Sequence, residues 1–182
     1  NFDAFERSGY FSKDRGGKLV AGPIWDFDRS FGAATFYATT PWDRWFVEGG
    51  VNFWQTGWWG HITRDPEFMQ DWVDRWQSLR QGILAEANLV ALADSLAATI
   101  GPAAAARDAA RWPLDIPEYA AGHTGGLANL KNWFTNRVRW IDEQLVAPPS
   151  VSNGGTTLTF SPAAGAQLAY TLDGSDPRSL GG

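Results

Sequence analysis

The sequence predicts an α+β fold, mainly α, and three observations predict it. Apolar residues recur at helical spacing through most of residues 65–146. Near the start, Asp14-Arg15-Gly16-Gly17 separates two β-prone runs and signals a hairpin. After Pro148-Pro149 the pattern changes to short apolar runs punctuated by Gly, Asn and Asp. A chain of 182 residues has room for one sizeable domain and a small second module, divided here at 1–147 and 148–182.

The opening hairpin pairs Tyr10–Lys13 with a return strand, Lys18–Trp25. It brings the segment after Asp3 beside the segment before Asp26. Lys13, Arg15 and Lys18 then ring the turn as exposed charges. The stretch Gly22–Gly32, GPIWDFDRSFG, follows at once. If the strand continues through it, Asp26 and Asp28 share a face, with Cα atoms roughly 6.5–7 Å apart. Trp25 and Phe27 then face the other way, into a core. Two acids held at a strand end by aromatics suit a divalent cation or an acid/base pair. The plainer reading has one acid capping the turn and the other solvated.

Residues 33–64 follow no clean period and are rich in aromatics, among them Trp42, Trp45, Trp58 and Trp59. The expectation is that these rings pack the long connection onto the domain; a sugar-stacking platform is the alternative. His61 is read as a packed or surface residue, with no second His at ligand spacing.

A helix is predicted over 65–83, with Asp65 as N-cap and Pro66 in the first turn. Phe68, Trp72, Trp76, Leu79 and Ile83 form its buried stripe, while Asp71, Asp74, Arg75 and Arg80 lie off it in solvent. A second helix covers roughly 86–99, with Leu89, Leu92, Leu96 and Ile100 on one face. Gly101-Pro102 breaks it, and an alanine-rich helix runs over 103–111 to Trp112-Pro113. After a loop at 113–123, a long helix is predicted over 124–146, with Leu127, Leu130, Phe134, Val138, Ile141 and Leu145 inward. Arg137 and Arg139 are expected on its surface. In the last module, Thr156–Phe160 and Gln167–Leu172 read as two strands of an incomplete β-sandwich.

Composition narrows the function. A 44% hydrophobic chain with 11 Trp can bury a core and is not disordered. Its net charge of −5 disfavours non-specific binding to nucleic acid or anionic membrane. No apolar run approaches the roughly 20 residues of a membrane span. The absence of cysteine excludes disulfides and thiolate metal sites. The start at Asn1, with Met69 the one methionine, and an end inside a turn-rich segment read as a piece of a longer polypeptide.

The segments NFDAFERS, YFSKDRGGKL, GPIWDFDRSFG, DPEFMQDWVDRWQSLRQGIL and LKNWFTNRVRWIDEQL, in this order and spacing, resemble the CotH kinase family. That family is named for spore coat protein H and has a divergent protein-kinase-like fold. The resemblance covers residues 1–147 and implies the C-terminal lobe of such a fold. The tail, TLTFSPAAGAQLAYTLDGSDPRS, resembles the chitobiase/β-hexosaminidase C-terminal type of β module. Such modules often follow these domains in secreted bacterial proteins, which implies an extracellular or cell-surface location.

The resemblance implies Mg²⁺-dependent transfer of the ATP γ-phosphoryl group to a protein hydroxyl. Asp3 matches the catalytic-loop base. Asp26 matches the principal metal ligand, with Asp28 and Ser8 auxiliary. Ser8 stands where kinases carry Asn, and a neutral hydroxyl is a weaker Mg²⁺ ligand than an amide carbonyl. Asp28 stands where kinases commonly carry Gly, and this family often has an acid there. Gly16-Gly17-Lys18 is a hairpin turn, and no Gly-rich loop followed by a phosphate-pairing lysine occurs in the chain. The chain by itself is therefore expected to be inactive. A rival reading is an extracellular carbohydrate- or cell-wall-binding protein without kinase chemistry. A third is glycoside hydrolysis by Asp3 with Asp26 or Asp28, for which carboxyl separations of about 5–9.5 Å are needed.

Overall fold

The computed structural model describes residues 8–27, 30–32, 41–45, 47–48, 51–52, 57–112, 122–175 and 177, with the backbone alone at 47–48 and 51–52. Short antiparallel strand pairs flank a run of helices, so the fold is α+β and mainly α. Strands β1 (Phe11–Ser12) and β2 (Val20–Ala21) form the opening hairpin, with Phe11 opposite Ala21 and Ser12 opposite Val20. Gly17 N donates to Asp14 O at 3.0 Å to close its turn, and Gly16 has φ +73°, which glycine adopts without cost. Strands β3 (Val47–Glu48) and β4 (Val51–Asn52) make a second antiparallel pair inside the aromatic connection.

The helices are α1 (Gly57–Ile62), α2 (Pro66–Arg80), α3 (Glu86–Ile100), α4 (Pro102–Arg111) and α5 (Gly122–Glu143). Asp65 caps α2 as the sequence predicts: its Oδ1 accepts from Glu67 N at 2.9 Å and Phe68 N at 3.4 Å. Gly101, at φ +73°, ends α3 and starts α4, with Pro102 in the first turn. The loop predicted at 113–123 lies outside the described residues but for its last two, Gly122 and His123, which open α5. Among the described residues, no single helix is long and apolar enough to cross a membrane.

The core lies between α3 and α5, at Ala93, Val138 and Ile141. Two ion pairs flank this seam. Arg139 on α5 makes paired hydrogen bonds to Glu86 at 2.7 and 2.9 Å, and Lys131 meets Asp94 at 2.8 Å. Eight residues separate the partners on each helix (94 − 86 and 139 − 131), and the order reverses, so α3 and α5 run antiparallel. α2 joins through Arg80, which meets Asp142 at 2.9 Å and Glu86 at 3.7 Å and also donates to Leu84 O. Trp76 Nε1 donates to the same Asp142 carboxylate at 2.8 Å.

Several expectations are corrected. Arg80 is not a solvated charge; it cross-links α2, α3 and α5. The leucine face of α3 does not face the core: Leu92, Leu96 and Ile100 are each more than half exposed, and Ala93 is buried. The helix is apolar on two sides, and the side carrying the small Ala93 lets α5 approach closely. Ile83 lies past the end of α2 and is 69% exposed, Phe68 is also exposed, and the rest of the stripe is half-buried rather than buried. After α5 the strands are β5 (Ser150–Asn153) and β6 (Leu158–Ser161), with Val151 opposite Phe160. The Asn-Gly-Gly turn dictates this pairing: Asn153 Oδ1 accepts from Gly155 N at 2.9 Å, and Gly155 has φ +90°. Residues 167–172 form no strand.

Candidate metal and phosphoryl-transfer site

The hairpin ladder ends where Gly22 N donates to Tyr10 O at 2.8 Å. Pro23 follows and has no N–H to continue it. Ser8 and Asp26 are thus left at the same end of the hairpin, each a few residues beyond the last cross-strand bond.

The strand does not continue through the acid pair. Asp26 has φ +57°, in the left-handed region that costs a non-glycine residue roughly 1–2 kcal/mol. Trp25 and Phe27, expected in a core, are 61% and 37% exposed. The chain turns instead: Ser30 N donates to Phe27 O at 3.1 Å. Phe31 is again left-handed at φ +61°, followed by Gly32 at φ +81°. Backbone held in this region on either side of a short turn is stored strain, which recurs where a functional group must be presented in one direction.

Packing on α5 maintains the turn. The Phe31 ring meets Phe134 edge-on at 4.8 Å and Trp133 at 5.6 Å. Gly32 lies under the Trp133 indole, where a β-carbon would come within 2.7 Å of Cδ1. The loop after Asp26 is therefore fastened to the helix that also forms the core.

Ser8 is 4% exposed, and its Oγ has no hydrogen-bond partner among the described residues. An unpaired buried hydroxyl costs about 1–3 kcal/mol. Asp26 is exposed and Ser8 is buried, both at one end of the hairpin. A carboxylate and an orphaned hydroxyl are hard oxygen donors of the kind Mg²⁺ takes, so the residues present fit a bound magnesium ion. The other two predicted residues, Asp3 and Asp28, lie outside the described residues. Among the described residues, no group of three or more His, Asp or Glu gathers at ligand distance.

A family model described as CotH kinase protein matches residues 1–141. The chain belongs to the CotH kinase family. No curated protein and no solved structure matches it. Kinase-related chemistry in this family points to ATP and Mg²⁺ in general terms.

Two features of this CotH-family chain escaped the sequence reading. Ser30, between Asp28 and Phe31, is 3% exposed with an Oγ that has no partner among the described residues. Nothing in its residue type signals that burial. Arg137, expected on the surface, is part-buried on α5. It donates to Trp42 O at 2.8 Å and Arg44 O at 2.6 Å. Its guanidinium lies 4.8 Å from the Trp140 ring and 5.3 Å from Trp45. Burial lowers its pKa below the ordinary arginine value, partly offset by the charge of Asp43. A signal existed: Trp133, Arg137 and Trp140 are spaced four and three apart, on one helix face. Trp45 also meets Trp72, so this part of the aromatic connection is packed, as expected. His61 is exposed on α1, which suits the surface reading.

Proposed function

We propose that this chain is the metal-binding part of a CotH-type protein kinase that moves the ATP γ-phosphoryl group to a protein hydroxyl. The observation that carries the reading is Asp26, held left-handed at the end of the hairpin by a loop fastened to α5, in a chain of this family. Asp26 would hold Mg²⁺, with Asp28 and Ser8 as auxiliary ligands. When bound, the ion offsets charge on the phosphate oxygens. Asp3 would accept the proton of the attacking hydroxyl at its carboxylate oxygen. Phe31 and Gly32, packed on α5, anchor the chain that follows Asp26, which would reduce the reorganisation needed on binding.

With no Gly-rich loop and phosphate-pairing lysine in its sequence, the chain alone is proposed to transfer no phosphate. The protein is proposed to work outside the bacterial cell or at its surface, with residues 148–182 as a carbohydrate-associated module.

A second reading, a glycan binder without kinase chemistry, rests on one aromatic cluster. Trp58 is 45% exposed and stacks on Trp59 at 4.0 Å, with Phe11 edge-on at 5.2 Å. Thermal shift separates the two. Stabilisation by ATP with Mg²⁺ that is lost in Asp26→Ala supports the kinase reading. Stabilisation by oligosaccharides alone, lost in Trp58→Ala, would replace it.

A further inference from the structure

We propose that Ser30 is a positioning residue of the metal site, its hydroxyl taking a hydrogen bond within the ion's outer shell when the site is loaded. This rests on the reading of Asp26 as a metal ligand. Ser30 donates its N–H to Phe27 O at 3.1 Å, which closes the turn after Phe27. Left-handed residues, Asp26 and Phe31, stand on either side of that turn. The Phe31 contacts with Trp133 and Phe134 fix its far end. The Ser30 hydroxyl is 3% exposed and unpaired among the described residues.

A serine hydroxyl needs a partner when water is excluded, and alanine would fill the same space without that cost. Were the hydroxyl part of the loop's own framework, it would be bonded within the loop. A buried hydroxyl unpaired among the described residues, two residues in sequence from one proposed ligand and four from another, suits a group completed by binding. Outer-shell hydrogen bonds orient carboxylate ligands and commonly change metal affinity tenfold or more.

The test uses the full chain, with Mn²⁺ standing in for Mg²⁺. Free Mn²⁺ is followed by electron paramagnetic resonance, and the metal-free Tm is measured in parallel. Ser30→Ala should weaken Mn²⁺ binding about tenfold while leaving the metal-free Tm unchanged or higher. Equal affinity in wild type and Ser30→Ala overturns the proposal. So does a lower metal-free Tm in Ser30→Ala, even with weaker binding, because the hydroxyl is then structural. If wild type and Asp26→Asn alike bind no Mn²⁺, the metal site itself fails, and the role of Ser30 fails with it. That result is distinct from a wild type that binds and a Ser30→Ala variant that matches it.

Discussion

The indole of Trp133 covers Gly32 so closely that a β-carbon built on the glycine would lie 2.7 Å from Cδ1 and 3.1 Å from Nε1. This contact ties the loop bearing Asp26 to α5. Gly32 is also left-handed, at φ +81°. Both the space and the backbone therefore require glycine. Gly32→Ala should cost about 2–4 kcal/mol, the strain of a left-handed alanine plus overpacking against a ring. Equilibrium urea unfolding measures it. In a Trp133→Ala background the same change should cost only about 1–2 kcal/mol, because the clash is gone and the strain remains.

Asp26 offers a comparison in which its own contacts cancel. Asp26→Gly and Asp26→Ala both remove the carboxylate, but glycine accepts φ +57° and alanine does not. The glycine variant should be the more stable by about 1 kcal/mol, read as a higher urea midpoint. Equal midpoints would mean that the left-handed backbone relaxes freely.

Arg137 is held by two carbonyls and by indole faces, a setting that needs a flat, multiply donating cation. Arg137→Lys keeps the charge and loses the flat contact with Trp140. It should cost about 1–2 kcal/mol and change the tryptophan emission of the folded state. Arg137→Ala should cost more, because the carbonyls of Trp42 and Arg44 then lose their donor.

The Glu86 carboxyl lies below its ordinary pKa of 4.5, first through its hydrogen bonds from Arg139, against the opposing effect of burial, and then through the charges of Arg139 and Arg80. A depressed folded pKa means that its contribution is fully present above the ordinary value. The contribution is lost as pH falls through the lowered folded value. Glu86→Gln should therefore lower stability at neutral pH and flatten the decline of stability in acid. Urea midpoints between about pH 3 and 6 check this, and an acid limb as steep as in wild type would contradict it.

How legible all this was in the sequence varied with the physics of each element. Asp65-Pro66 announced the start of α2, and Gly101-Pro102 the break between α3 and α4, because caps and proline act locally. The hairpin was found, but not how soon Pro23 ends it. Which face of α3 is buried was not legible, since leucine and alanine stripes compete and only the partner helix decides between them. Arg137 looked like surface charge because residue type does not reveal which loop will fold over it. At the candidate site, the spacing implied that Asp3 and Asp26 converge at one hairpin end; Asp3 lies outside the described residues, and Ser8 and Asp26 fall at that end. The left-handed backbone at Asp26 was not legible, because a run of alternating residues reads as strand until packing bends it.

The most direct test of the central claim is anomalous diffraction from crystals of the protein soaked with Mn²⁺ and adenylyl imidodiphosphate. The account predicts an anomalous peak about 2–2.6 Å from a carboxylate oxygen of Asp26, beside the phosphates of the nucleotide. A well-ordered Asp26 with bound nucleotide and no peak at its carboxylate would contradict it.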